Sequence, residues 1–134
     1  ALFSCAGKRP ADLGAPDGRL RACPSSPNCV CSEDSDQQHG IAPLTYTGDG
    51  AAAFARARSA ALSLPRTQLI NETADYMHFE STSRLMGYVD DLELQLEPAK
   101  NEIAIRSASR LGHGDMGVNR KRVEELRAAY AQGG

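Results

Sequence analysis

The sequence predicts an α+β domain of two layers, in which an N-terminal and a C-terminal helix cover one face of a four-stranded antiparallel sheet. Two observations predict this fold class. The elements follow one another in the order helix, four strands, helix, and the links between the strands are too short for the crossovers of a parallel sheet. A chain of 134 residues with 41% hydrophobic content is long enough for one compact domain and too short for two ordinary ones.

The spacing of apolar residues indicates a helix at each end of the folded body. The first helix begins after Asp49, a residue type that caps helix N-termini, and ends at Pro65. Its apolar residues at helical spacing are Phe54, Ala57, Ala61 and Leu64. The second helix extends from Asn119 to about Gln132. Its apolar stripe comprises Val123, Leu126 and Tyr130.

Four segments between the helices are extended, alternating or rich in β-branched residues, and turn residues separate them. They are residues 67–73, 76–81, 85–97 and 102–110. The sequence Pro-Ala-Lys-Asn between the last two fits a four-residue hairpin loop that pairs Glu97 with Glu102. In this register Asp90 lies on the face beneath the helices, where its carboxylate needs a partner.

The first 21 residues are interpreted as a tether that precedes the folded domain at 22–134. The sequence from 7 to 21 has no apolar period, as is typical of a tether. The letters Leu-Phe-Ser-Cys that end at Cys5 are similar to a bacterial lipoprotein cleavage box, which predicts lipidation of Cys5. The alternatives are the end of an uncleaved signal anchor and a disordered terminus. No apolar run approaches the roughly 18 to 20 residues that span a bilayer.

The cysteines form a dense motif, Cys-Pro-Ser-Ser-Pro-Asn-Cys-Val-Cys, which begins at Cys23 and ends at Cys31. His39 follows eight residues after Cys31. Two prolines and an asparagine force a turn that can join Cys23 to Cys29, and in an exported protein this favours a disulfide. The alternative is a zinc site of Cys23, Cys29, Cys31 and His39, although its spacing differs from common zinc modules. We favour a disulfide or free structural thiols over a metal site, with Cys23 and Cys29 as the candidate disulfide. If Cys5 is acylated, Cys31 is the thiol left unpaired. We predict neither a metal site nor a cofactor.

Charge is distributed unevenly along the chain, although the formal net charge is only -2. Residues 72–97 carry seven acids and one base, whereas residues 100–127 carry seven bases and four acids. A near-neutral total disfavours nucleic-acid binding. Arg120, Lys121 and Arg122 occupy the first turn of the last helix, where the helix dipole favours negative charge. An anion is therefore expected there, either a carboxylate of the chain or an anionic ligand.

Three separated motifs resemble one known family. They are CPSSPNCV, GYVDDLE and RSASRLGHGDMGVNRKR, which together extend over roughly residues 22 to 130. They resemble DUF1499, a bacterial and plastid family of domains of unknown function. Cys31 departs from the family pattern, which usually has Ser at this position. This departure weakens the zinc alternative. The family has no established activity, so the resemblance identifies no reaction, and members of the family often look exported or membrane-associated.

A polar cluster around the last motif is the candidate site for a small carboxylate or phosphate. Its residues are Asp90, Arg106, Ser107, Ser109, Arg110, Asp115, Asn119, Arg120 and Arg122. The alternative, which we favour, is a self-satisfied network in which three acids pair with three arginines and fix the last helix to the sheet. The acids are Asp90, Asp91 and Asp115, and the bases are Arg110, Arg120 and Arg122.

Catalytic hypotheses have less support. The weakest hypothesis is an enzyme centred on His113, Asp115 and Asp90, because His113 lies in a glycine loop without an evident orienting acid. His78 alternates with apolar residues on a strand and is expected at the surface. Asp90 and Asp91 point to opposite faces of one strand, which argues against a pair of cooperating carboxylates.

The leading functional hypothesis is therefore a noncatalytic, exported domain, tethered at its N-terminus, that serves as an accessory or interaction subunit of a membrane or envelope assembly. In a bacterium it would be periplasmic or membrane-anchored, with a protein partner and a membrane contact through its N-terminal anchor. The second hypothesis is a binding module for a small anionic ligand at the N-terminus of the last helix.

Overall fold

The computed structural model describes residues 7–112 and 114–133, and within them it contains two helices and a six-stranded antiparallel sheet. The strands are β1 (Cys29–Cys31), β2 (Leu44–Thr45), β3 (Thr67–Glu72), β4 (Tyr76–Thr82), β5 (Val89–Glu97) and β6 (Glu102–Ser109). The helices are α1 (Gly50–Leu62) and α2 (Val118–Ala131). The predicted α+β class is therefore confirmed.

The sheet has the order β1-β6-β5-β4-β3, and β2 also pairs with β6. The four predicted strands are present as β3 to β6, but the predicted count of four is wrong. The two additional strands have three and two residues and add to the outer edge of β6. They are too short to show a period of two, so their pairing depends on the tertiary fold. The predicted strand at 85–97 begins later, at Val89, because Gly87 has φ +67° in the preceding turn.

The register of the β5–β6 hairpin is the predicted one. Glu97 is paired with Glu102 and Asp90 with Ser109. A 3₁₀ turn at Pro98–Lys100 connects the strands, and Asn101 follows it in the left-handed conformation that asparagine tolerates. This register fixes which side chains of β5 and β6 face the helices.

Both helices pack on one face of the sheet and share one hydrophobic core. Helix α1 contributes Ala53, Phe54, Ala57, Ala60 and Ala61, and α2 contributes Val123, Leu126 and Tyr130. The sheet contributes Met77, Phe79, Leu92, Leu94, Ile103 and Ile105. Asp49 caps α1 as predicted, since its carboxylate accepts from the Ala51 amide at 3.1 Å.

The other face of the sheet is covered by the segment from Gly7 to Cys23. Leu20 is buried there against Cys31 and Ala104. The Gly14 amide donates to Glu93 at 2.7 Å, so the segment is also held by hydrogen bonds. Residues 7–21, predicted as part of a tether, thus lie against the folded body. Cys5 and its predicted lipidation lie outside the described residues.

Helices of the described ranges are all too short or too polar to cross a bilayer.

Candidate functional site

The side chain of Asn119, in the first turn of α2, is fully buried and joins three parts of the fold. Its Oδ1 accepts hydrogen bonds from Ser107 Oγ (2.6 Å) and Arg122 Nη1 (2.9 Å). Its Nδ2 donates to Asp115 (2.7 Å), Ser109 Oγ (2.8 Å) and the Asn28 carbonyl (3.2 Å). Asn119 therefore connects α2 with β6 and with the loop between Cys23 and Cys29.

Asp115 provides the anion that the N-terminus of α2 requires. Its carboxylate accepts from the amides of Gly117 (2.9 Å) and Asn119 (3.1 Å). Gly117, the N-cap residue, has φ +80°, a conformation that glycine adopts without strain. The amides that the sequence offers to an anionic ligand are thus bound by a carboxylate of the chain.

Asp90 has the partner that its position beneath the helices demands. Its Oδ2 lies 2.8 Å from Arg122 Nη2, and its side chain is 10% exposed. Arg122 also donates to Ser107 Oγ at 3.2 Å, so it is part of the network around Asn119. The Asp90–Arg122 pair is therefore a neutral unit that joins β5 to α2.

The nine predicted site residues do not form one cluster. They lie on both faces of the sheet, and Arg120 contacts a loop instead. Six of them meet on the helix face, namely Asp90, Ser107, Ser109, Asp115, Asn119 and Arg122. Arg120 instead donates to the carbonyls of Gln38 (3.2 Å) and Gly40 (3.0 Å). Arg106 and Arg110 lie on the opposite face, because side chains alternate along β6.

The opposite face carries a second network, centred on Arg110. Its Nε and Nη2 each lie 2.8 Å from an oxygen of Asp91, and Nη2 lies 2.6 Å from Glu80. Burial alone would raise the pKa of Asp91, but hydrogen bonds from Arg110 and His78 outweigh it and hold that pKa below its usual value. The hydrogen bonds that Arg110 donates to Asp91 and Glu80 raise the pKa of Arg110 itself.

The expectation that His78 lies at the surface is wrong. Its side chain is 5% exposed, and Nε2 is 2.7 Å from Asp91 Oδ1. The physical reason is the N-terminal segment, which covers a face that the sequence leaves open to solvent. Arg9 of that segment donates to Glu80 through Nε at 2.9 Å.

His78, Glu80 and Asp91 offer ligand atoms within 4.8 Å of one another. A divalent cation would have to displace Arg110, which binds both carboxylates, and Arg9, which binds Glu80. The negative charge of Glu80 and Asp91 is already balanced by the guanidinium groups of Arg9 and Arg110. The donor set is therefore suited to a structural ion-pair network rather than to a metal site.

Cys23 and Cys29 form the predicted disulfide, and the Cys31 thiol is unpaired and buried. Two thiols of the alternative zinc set are therefore bonded to each other. The ring of His39 contacts Asp36 (2.8 Å) and the Ser26 carbonyl (2.9 Å). The disulfide loop is part of the polar network. Its Asn28 accepts from Asn119 through the main-chain carbonyl and donates through Nδ2 to the Gly112 carbonyl at 2.7 Å.

A cleft of about 750 Å³ opens beside this network, between the loop at 83–88 and the loop at 111–118. Of the second loop the structure describes residues 111–112 and 114–118, and its last residue, Val118, is also the first residue of α2. Its apolar lining consists of Leu64, Pro65, Tyr88, Val89, Leu111, Met116 and Val118. Asp90, Ser109 and Arg122 connect the lining to the Asn119 network. The charged side chains Arg66, Arg84, Lys121 and Glu125 also line the cleft.

Sequence reasoning missed Asn28 and the cationic lining of this cleft. Arg66 and Arg84 belong to turns far from the last motif along the chain, so spacing could not connect them. Asn28 is part of the quoted cysteine motif, where it was assigned only to a turn. His113, which the catalytic hypothesis requires, lies outside the described residues.

A family model described as "Protein of unknown function (DUF1499)" matches residues 19–130, which is most of the chain. A search of curated proteins found no match.

Proposed function

The chain belongs to the DUF1499 family, and we propose from its geometry that it is an exported binding module whose cleft takes a small anion with an apolar portion. The observation that carries this proposal is the cleft between residues 83–88 and 111–118, which combines apolar walls with cationic side chains. Its volume of about 750 Å³ lies in the range of small-molecule sites, roughly 300 to 1,000 Å³.

The charges of the cleft favour an anion. Asp90 is neutralised by Arg122, and Asp115 is bound to the N-terminus of α2. Among the described residues, no ion pair involves Arg66, Arg84 or Lys121 of the lining. Glu125 is the remaining acid that lines the cleft, so the cations exceed the acids available to them.

Export is supported by the Cys23–Cys29 disulfide, because disulfides persist in oxidising compartments and are rare in the cytosol. We propose, together with export, that Cys5 is lipidated and that the protein is periplasmic or membrane-anchored in a bacterium.

The proposal is tested by titrating the full chain with decanoate and, as a neutral match, with decanol, while NMR reports which residues respond. Decanoate should perturb Tyr88, Val118 and Lys121 and should bind more tightly than decanol. Replacing both Arg84 and Lys121 with Ala should weaken decanoate binding about tenfold, since each exposed charge contact contributes roughly 0.2 to 1 kcal/mol.

Lys100 supplies the matched control, because it is exposed on the turn at the other end of β5. Lys100→Ala should leave the affinity unchanged. Equal binding of decanol and decanoate, or perturbations that avoid the cleft, would contradict an anion site.

The second candidate function is an accessory subunit of a membrane or envelope assembly with a protein partner. The observation that favours it is the set of exposed apolar side chains on the two loops. Crosslinking the native protein in its membrane tests this candidate, and a chain that is always recovered alone would count against it.

A further inference from the structure

The exposed apolar side chains of this fold are concentrated at one end. Among the described residues, six of the seven exposed large hydrophobic side chains lie on the loops that border the cleft. They are Leu85, Met86 and Tyr88 on one loop and Leu111, Met116 and Val118 on the other. Leu85 is 91% exposed and Met116 is fully exposed, so neither contributes to the core. Single exposed apolar residues are ordinary, but a group on two neighbouring loops marks an interaction surface.

The charges beside these loops indicate what the surface contacts. Arg84 lies next to Leu85 in the chain, and Arg66 and Lys121 line the same cleft. Apolar side chains flanked by lysine and arginine are the pattern of a surface that lies in the interface of an anionic bilayer. On a surface of this kind, apolar tips enter the headgroup region while the cations remain at the level of the lipid phosphates.

The course of the N-terminal segment supplies an independent observation. A Cβ placed on Gly7 would lie 3.1 Å from Leu111 Cγ and 3.2 Å from Arg110 Cβ, so Gly7 packs directly against the start of the second loop. Any group attached to the chain upstream of Gly7 therefore begins at the end of the molecule that carries the exposed loops. The predicted acylation site, Cys5, lies two residues before Gly7.

We propose that the described residues of loops 83–88 and 111–118 form a membrane-docking face that inserts Leu85, Met86 and Met116 into the interface of a bilayer containing anionic lipid. Docking is a property of the loops and goes beyond the proposed function, because it requires neither a ligand in the cleft nor an acyl chain. It orients the domain so that the cleft opens toward the membrane.

The first experiment uses the full chain with Cys5→Ser, which removes the acylation site, and vesicles of phosphatidylglycerol mixed with phosphatidylcholine. The protein should bind these vesicles and should bind pure phosphatidylcholine at least tenfold more weakly. The triple substitution Leu85→Ser, Met86→Ser and Met116→Ser should weaken binding at least tenfold. Leu62→Ser, on an exposed leucine outside both loops, is the matched control and should change binding less than twofold.

The charge contribution has its own pair of variants. Arg84→Glu should weaken binding to the anionic vesicles severalfold, and the loss should shrink at high salt. Lys100→Glu reverses another exposed charge, which lies 3.9 Å from Glu97 at the opposite end of β5, and should have little effect. Equal losses for the two variants would overturn the assignment of the docking face.

Insertion can be observed directly because the chain contains no tryptophan. Tryptophan placed at Met86 or Met116 should show a blue-shifted emission when vesicles are added, whereas tryptophan placed at Leu62 should not. Absence of vesicle binding, or binding that the triple serine variant retains, would overturn the proposal. A dimer in sedimentation that the serine variant dissolves, without vesicle binding, would assign the surface to a second copy instead. Vesicle binding without decanoate binding would refute the proposed ligand and leave the docking face standing.

Discussion

Arg110 and Asp91 form a two-point ion pair on the face of the sheet that the N-terminal segment covers, with Nε and Nη2 each 2.8 Å from a carboxylate oxygen. Both side chains are almost entirely buried, at 6% and 1% exposure. Each of these buried charges offsets the desolvation free energy of the other. Removing one partner would leave the other as an uncompensated buried charge. The pair therefore makes the fold sensitive to the loss of one partner.

Replacing Arg110 with Met should lower the free energy of unfolding by about 3 to 5 kcal/mol, because Asp91 and Glu80 would lose their shared cation. Urea unfolding followed by circular dichroism measures the change. The matched control is Arg58→Met, since Arg58 makes an ion pair with Glu72 at 3.3 Å with both side chains 44% exposed. That substitution should cost less than about 1 kcal/mol. Similar losses in the two variants would show that burial does not distinguish these pairs.

The same network should make stability depend on acid pH. Burial acts to raise the pKa values of Asp91 and Glu80, but hydrogen bonds hold both below their usual values. Those to Asp91 come from Arg110 and His78, and those to Glu80 come from Arg9 and Arg110. A depressed pKa in the folded state stabilises the protein above the unfolded pKa of about 4, and this contribution is lost as pH falls through the folded value. Unfolding free energies measured from pH 7 to pH 2 should therefore decrease below about pH 4. Arg110→Met should make this decrease smaller, because without the guanidinium group burial raises the folded pKa values of Asp91 and Glu80 toward or above their unfolded values. An unchanged profile would contradict the role of the guanidinium group.

The elements that could be predicted from the sequence are those specified by local patterns. Helices α1 and α2 follow from apolar spacing, and the Pro-Ala-Lys-Asn loop determines the β5–β6 register. Strands β1 and β2 could not be predicted, because strands of three and two residues carry no alternation and form only when β6 is present as a template.

The N-terminal segment explains the largest error. It is rich in glycine and proline, so no local pattern places it on the sheet, and its contacts join residues as distant as Arg9 and Glu80. His78 was therefore expected at the surface. The observed register pairs Glu80 with Asp91 and Asp91 with Ala108, so alternation puts His78, Asp91 and Arg110 on one face. Charges clustered on one face of a central strand need a cover that excludes water.

Asn119→Ala should lower the free energy of unfolding by about 2 to 4 kcal/mol. The substitution removes the link between α2, β6 and the disulfide loop, and it leaves the proton of the buried Ser107 hydroxyl without its acceptor. Urea unfolding measures the loss, and Asn71→Ala on an exposed position of β3 is the control, with an expected change below about 0.5 kcal/mol. Hydrogen exchange should also show faster opening at the start of α2, and a loss confined to global unfolding would argue against a local link.

Thiol reactivity should report both the disulfide and the packing around Cys31. Burial raises the pKa of the Cys31 thiol to about 11, so almost no thiolate exists near pH 8. In the full chain with Cys5→Ser, iodoacetamide at pH 8 should label no cysteine of the native protein, counted by mass spectrometry. In urea it should label one, Cys31, and in urea with a reductant it should also label Cys23 and Cys29, which are disulfide-bonded in the fold. Labelling of Cys31 under native conditions would mean that the N-terminal segment opens readily, whereas three reactive thiols without reductant would show that the disulfide had not formed.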